Sequence, residues 1–228
     1  MARYTLRLSV DGIGAKQRLQ LPPANRVLYL RDGDAVARTG GQAYSLGPNT
    51  ATQGPHATVV EGGQNGATLL RFELVPAGTP AWGADKAAEA KPGDPATAAS
   101  RELITRDIEL GDPQGYLMRA DRVDFPLAGV AWTHTHRGPG IRCLLRGAIR
   151  IEAAGEVHEV QPGQPWFEAG PDPVLALASG VELTSFVRVT ILPRELIGKS
   201  SIRYEKAEDA DKPKTQRYQI FADEPITL

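Results

Sequence analysis

Two stretches of this 228-residue chain repeat one another, and a repeat of that period constrains the fold more tightly than any single motif. Gly54-Pro55-His56-Ala57-Thr58-Val59-Val60, continuing to Leu69 through Pro76, matches Gly170-Pro171-Asp172-Pro173-Val174-Leu175-Ala176, continuing to Phe186 through Pro193. The offset is 116 residues at Gly54/Gly170, 117 at Pro76/Pro193 and 115 at Arg31/Arg146. Two related units follow. In each, apolar residues alternate with polar ones: Leu70, Phe72 and Leu74 around Arg71 and Glu73, and Val187, Val189 and Ile191 around Arg188 and Thr190. Period two sorts these sets onto opposite faces of a strand, and one face of each strand is expected to be buried.

Turn signals at Asp32-Gly33, Thr39-Gly40-Gly41, Ala153-Ala154-Gly155 and Pro162-Gly163 break the strand-like runs at the spacing of hairpin-built sandwiches or barrels. The 24 glycines and 18 prolines suit many short strands better than long helices. Residues 77–100 are rich in Ala, Pro and Gly and nearly free of large aliphatics, so they are expected to be a linker, with a short helical turn at Asp85 to Ala90 and Trp82 pinning it to a surface. The expected organisation is a first barrel over 1–76, the linker over 77–100, a second barrel over 101–193 and a charged tail over 194–228. That tail closes on the alternating stretch Tyr218-Gln219-Ile220-Phe221. A terminal strand needs a sheet edge, belonging either to the first unit or to a second subunit, which opens a homodimer by strand addition.

Charge and composition exclude several functions. Net charge is −1 and basic residues are scattered among acidic ones, which disfavours nucleic acid as a partner. Cys143 is the sole cysteine, so no intramolecular disulfide or four-cysteine metal site forms, and a reducing compartment is expected. The start alternates polar and apolar residues and reads as a strand rather than a secretory signal. The charge-free stretch from Thr39 to Val60 is broken by glycines and prolines, so no membrane span is expected. A soluble, cytoplasmic protein is the expectation.

Of the four histidines, at 56, 134, 136 and 158, two form His134-Thr135-His136. In a strand, residues two apart share a face, so both imidazoles point to one side and can grip one metal ion. The surroundings sharpen this reading. Gly129 through His136, then Arg137-Gly138-Pro139-Gly140-Ile141-Arg142-Cys143-Leu144-Leu145-Arg146-Gly147, resembles the first motif of the cupin superfamily. Gly147, the strand Ile149-Arg150-Ile151-Glu152 and the turns at Gly155 and Pro162-Gly163 continue in cupin order. With the repeat, the resemblance covers roughly 20–76 and 115–193 and is that of a bicupin. It implies an all-β chain of two tandem double-stranded β-helix (jelly-roll) barrels.

The family's glutamate ligand falls on Gly140, seven residues before Gly147, and its last histidine falls on Pro173. Two of the four ligands that the resemblance implies are therefore missing. Glu168 and Asp172 lie near enough in sequence to supply a carboxylate, giving a two-histidine, one-carboxylate set. Glu168 is preferred because Trp166-Phe167 beside it can carry it inward. In the first unit Pro22-Pro23-Ala24-Asn25 stands where the histidines would be, so that barrel is expected to bind no metal. His56 reads as a hydrogen-bonded structural histidine and His158 as exposed.

Alternation aims Arg142 at the same interior as the histidines, where it either holds a substrate carboxylate by a two-pronged hydrogen bond or turns outward to pair with Glu152. Trp132, Trp166 and Phe167 either line a pocket or form core, and Cys143 is expected to be a buried small hydrophobe. No phosphate loop, Rossmann fingerprint, His-Glu-x-x-His or Gly-x-Ser-x-Gly occurs. The first functional expectation is a metal-dependent bicupin acting on a small organic molecule. One divalent ion, Fe, Mn, Zn or Ni, would sit on His134 and His136, and the resemblance suggests dioxygenase-type oxidoreductase chemistry. The alternative is a non-catalytic cupin serving as a small-molecule or sugar-binding, regulatory or structural module. A third reading is an assembly module acting through the charged tail.

Overall fold

Alternating sequence of this kind pairs antiparallel, and every strand pair among the described residues does so. The structure, a computed structural model, describes residues 1–82, 98–112 and 114–228. Most of the expected linker, including the helical turn at 85–90, lies outside the described residues. The chain divides into two units, Met1–Gly111 and Asp112–Leu228.

The first unit contains β1 (Ala2–Ile13), β2 (Arg18–Leu21), β3 (Asn25–Thr39), β4 (Gln42–Leu46), β5 (Thr50–Gly54), β6 (Thr58–Pro76) and β7 (Ala99–Leu110). They form one hydrogen-bonded set, ordered β4-β3-β6-β1-β7, with β2 on β6 and β5 on β3. The long strands β3 and β6 serve two layers. Their early and late halves pair with different partners, and the register shifts between Leu30 and Asp32 and again between Gly33 and Ala35. At that bend Gly33 has φ +81°, and a Cβ on it would meet the carbonyl oxygen of Gly66 at 2.1 Å. A glycine is required for the two strands to turn together.

The second unit has β8 (Tyr116–Phe125), β9 (Val130–His136), β10 (Gly140–Arg146), β11 (Ile149–Ala153), β12 (Glu156–Val160), β13 (Pro165–Glu168), β14 (Val174–Ala178), β15 (Thr184–Pro193), β16 (Ile202–Tyr204), the one-turn helix α1 (Ala207–Asp211) and β17 (Arg217–Ile226). Two five-stranded sheets result, ordered β13-β10-β15-β8-β17 and β12-β11-β14-β9-β16. The first order parallels β5-β3-β6-β1-β7 of the other unit, so the repeat read from sequence is also a repeat of topology. Apolar side chains from both sheets, among them Val123, Phe125, Leu144, Ile149, Ile151 and Phe186, fill the space between them. Burying each contributes about 1.5–3 kcal/mol.

Three expectations change. Strand β7 pairs with β1 from Ala2↔Leu110 to Gly12↔Ala99, so residues 99–110 belong to the first unit and the division falls at 111/112 rather than at 101. The tail is part of the second unit: β16 pairs with β9, and β17 pairs with β8 from Arg217↔Asp124 to Ile226↔Tyr116. The edge that the terminal strand needed is thus supplied within its own unit. Finally, both faces of the two repeat strands are buried, since Arg71, Glu73, Arg188 and Thr190 are as covered as their apolar neighbours. Leu69 and Phe186, members of the interior clusters, share a face with these polar residues, so the barrel interiors are partly charged.

Buried charges need partners. In the first unit Arg71 holds Asp11 at 2.7 Å, while Glu73 takes Arg26 at 2.7 Å and Arg7 at 2.9 Å. The polar face is covered by the segment after β6: Arg7 donates to the carbonyls of Thr79 and Pro80, and Arg71 lies 6.0 Å from the Trp82 ring centre.

Candidate functional site

The strand β9 places His134 and His136 on its buried face, between β14 and β16. Their rings meet edge to face, and the two Nε2 atoms lie 3.2 Å apart. The Nδ1 of His134 is 2.7 Å from the carbonyl oxygen of Trp132. A carbonyl only accepts, so His134 carries its proton on Nδ1 and leaves Nε2 bare. His136 Nε2 faces that bare nitrogen and, at 3.3 Å, Oε2 of Glu168. Two acceptors require a donor between them, so His136 carries its proton on Nε2. Its Nδ1 is buried without a hydrogen-bond partner.

Glu168 reaches this place from the end of β13, directly across the ladder from Gly140. Trp166, two residues earlier and on the same face, donates its indole N–H to Oε1 at 2.9 Å. The second oxygen lies 2.6 Å from Nη2 of Arg142; the contact is close but off-line, an ion pair rather than a well-directed hydrogen bond. Arg142, which is 1% exposed, also donates through Nη1 to the carbonyl of Gly140 at 2.6 Å. Beside it Arg188 grips Asp121 through two hydrogen bonds of 2.7 and 3.1 Å. Two guanidiniums and two carboxylates therefore balance, with both imidazoles neutral.

Protonation follows from this arrangement. Burial lowers His136 to about 3, helped by Arg142 and Arg188 and opposed by Glu168. Burial likewise lowers His134, against the pull of its Trp132 hydrogen bond. Desolvation lowers Arg142 to about 10, with Glu168 opposing. For Glu168 burial acts upward, but Arg142, the nearby His136 ring and the Trp166 hydrogen bond win and hold it well below the usual carboxylate range. The His136–Glu168 contact at 3.3 Å is accordingly a close polar approach of a neutral ring to a carboxylate, while the Nε2–H of His136 donates to His134.

Of the residues named from sequence, His134, His136, Glu168 and Arg142 come together, whereas Asp172 does not. Asp172 is exposed between Pro171 and Pro173 on the loop before β14, since that loop leaves the barrel before the strand resumes. Arg142 neither turns outward nor meets Glu152, which pairs with Arg150 at 2.8 Å. Trp166 is core against Phe186, Trp132 lies under the ammonium of Lys212, and Cys143 is buried. His158 is exposed beside Glu156, and His56 is exposed rather than held inside. Sequence reasoning missed Arg188 and Asp121. Their signal was the repeat itself, because Arg188 stands 117 residues after Arg71, and both pair with an aspartate on the first strand of their unit.

The interior void beside the histidines measures about 20 Å³, room for a single water. A second cavity of about 450 Å³ opens in the same unit, a size suited to a small organic molecule. Arg188, Ile202 and Tyr218 line both spaces. The walls of the larger cavity are mostly apolar and include Tyr204 and Ile220. Lys214 at its rim donates to the carbonyls of Asp209, Ala210 and Lys212 and lies 4.3 Å from the Tyr204 ring centre. These bonds satisfy the end of α1, whose last carbonyls have no partner in the helix.

The sequence resemblance implies a metal ion, and this donor set meets it poorly. Ligation through both Nε2 atoms would move the His136 proton to Nδ1, which has no acceptor, and metal-bound histidines normally donate that proton. Glu168 would have to leave Arg142, and a dication would give the now balanced cluster a net charge of +2. Among the described residues no group of three or more His, Cys, Asp or Glu side chains is arranged to hold an ion. As arranged, these residues do not fit a metal centre.

No protein-family model matches the chain, and no curated protein does. Solved structures do resemble it. AerE from Microcystis aeruginosa superposes with a TM-score of 0.57 at 13% identity, over 82% of this chain and 88% of that one. Vicilin from hazelnut, Corylus avellana, gives 0.55 at 11%, over 82% and 75%. The salicylate 1,2-dioxygenase of Pseudaminobacter salicylatoxidans gives 0.52 at 10%, over 95% and 75%. The last two are cupins. Identities this low speak for the fold alone: with the repeated topology they give an all-β chain of two units that share the jelly-roll fold of these structures. No helix among the described residues is long and apolar enough to cross a membrane.

Proposed function

We propose that the second unit binds a small organic anion with a flat, apolar body in its 450 Å³ cavity, and that the protein is a ligand-binding cupin. The cavity itself carries this reading. Arg119, Arg188, Lys199 and Lys214 line it against the single carboxylate of Asp121, so its field favours a negative head group, while Tyr204, Tyr218, Ile202 and Ile220 favour an apolar body. Arg119 and Arg188 are already committed to Asp223 and Asp121, which leaves exposed Lys199 as the most available cation. Titration calorimetry with a panel of aromatic and aliphatic carboxylates tests this. At least one acid should bind, its neutral amide should bind more weakly, and Lys199→Gln should weaken the acid alone by about tenfold. Equal binding of acid and amide, or no binding at all, overturns the reading.

The second reading, a metal-dependent oxidoreductase of dioxygenase type like the similar salicylate 1,2-dioxygenase, requires His136 to move its proton to Nδ1 and Glu168 to leave Arg142, and one observation favours it. The imidazole nitrogens lie 3.2 Å apart, close enough to share an ion at ordinary ligand distances. Elemental analysis of chain purified without an affinity tag decides it: about one equivalent of metal that disappears in His134→Ala/His136→Ala supports this reading, and its absence after reconstitution rejects it.

A further inference from the structure

We propose that the guanidinium of Arg142 is the resident cation of the second barrel, standing in for the metal ion of a cupin site, so that His134, His136 and Glu168 form a metal-free polar core. Four observations converge. First, Arg142 lies where the missing glutamate would begin: a Cβ built on Gly140 would come within 3.1 Å of its Nη1, so the guanidinium and a side chain at 140 compete for one space. Second, the only carboxylate among the described residues that reaches the histidines, Glu168, comes from across the ladder and is held by Arg142 at 2.6 Å. Third, the hydrogen bonds from His136 to His134 and from His134 to the carbonyl of Trp132 leave each ring neutral, with the Glu168 carboxylate 3.3 Å from His136 and no ion between them. Fourth, the first barrel, which has no histidine pair, fills its interior in the same manner, with Arg26 on Glu73 and Arg71 on Asp11.

The same reasoning says what would uncover a metal site. Removing the guanidinium frees Glu168 and leaves the pair of imidazoles beside an unpaired carboxylate, a donor set that binds first-row divalent ions. Arg142→Met removes the charge while keeping much of the volume. Titration with Co(II) should show no binding to the wild type and a gain of at least about a hundredfold in affinity for Arg142→Met, abolished by adding His134→Ala. Arg142→Lys, which retains a cation, should behave as the wild type. Stoichiometric binding of Co(II) to the wild type through His134 and His136 overturns the proposal, as does an Arg142→Met protein that folds and binds no better.

Should Arg142→Met fail to fold, long-range ¹⁵N–¹H spectra of the wild type decide the question. His134 should show the Nδ1–H form and His136 the Nε2–H form, both unmoved by excess Zn(II). An Nδ1–H form at His136 that shifts with zinc overturns the proposal. Carboxylate binding in the larger cavity is measured separately with metal chelated throughout, so failure of one idea is distinguishable from failure of the other.

Discussion

Glu168 sits directly opposite Gly140 on neighbouring strands, and the carboxylate of the one and the bare backbone of the other both receive Arg142. The pairing explains why position 140 carries no side chain. A Cβ there would meet Cγ2 of Thr190 at 2.6 Å and the carbonyl oxygen of Val189 at 2.7 Å. Gly140→Ala should therefore destabilise the protein by about 1–3 kcal/mol. At Gly180 nothing lies within 4 Å, so Gly180→Ala should stay within about 0.5 kcal/mol. Urea denaturation of the two variants makes the comparison.

Breaking the buried pair is expected to cost more than removing it. Glu168→Gln strands the Arg142 guanidinium in the interior, at about 3–5 kcal/mol. Replacing both partners with Met should recover most of that loss, since apolar pairs of similar volume are often as stable as the ion pair. A double-mutant cycle by denaturant unfolding reads the coupling. Additive losses would show that the two side chains act independently.

Acid should weaken the protein before its carboxylates titrate. His136 has an ordinary pKa of 6.5 but is held at about 3 in the folded chain, so below pH 6.5 the unfolded state takes up a proton that the folded state refuses. The stability is fully present above about pH 6.5 and is lost as pH falls toward 3, at up to about 1.4 kcal/mol per pH unit. His134, also lowered, steepens the slope. Glu168 is lowered from 4.5, and its contribution begins to fade only near that value, leaving pH 5–6.5 to the histidines. Unfolding free energies at pH 7, 6 and 5 should fall in that order, and His136→Gln should flatten the trend.

Strand β17 occupies the edge of β8 along ten residues, and its Tyr218 ring lies 5.5 Å from the Arg188 guanidinium. Ending the chain at Gln216 removes both and leaves β8 as an open edge. The truncated protein should lose cooperative unfolding or self-associate, as sedimentation and thermal melts would show. A monomeric truncation with unchanged melting temperature would mean that the strand is a passive appendage.

Much of the fold was legible because its signals are local. Period-two alternation, turn glycines and the repeat report on strands and their order, and the placement of His134 and His136 on one face follows from the pleat alone. Glu168 was half legible through its neighbour Trp166. Arg188 and Asp121 were not, because they are 67 residues apart in sequence, and alternation cannot tell which face of a strand looks into the barrel. The owner of the terminal strand's edge was hidden for the same reason.

By itself, the sequence determined that this protein is a duplicated β structure with paired imidazoles on one strand, since backbone geometry converts spacing into direction. Tertiary structure alone decided what those imidazoles meet. Barrel closure brings Glu168 and Arg142 into the space beside them, and in a buried site the balance of charge, set by residues distant along the chain, governs which cation belongs there.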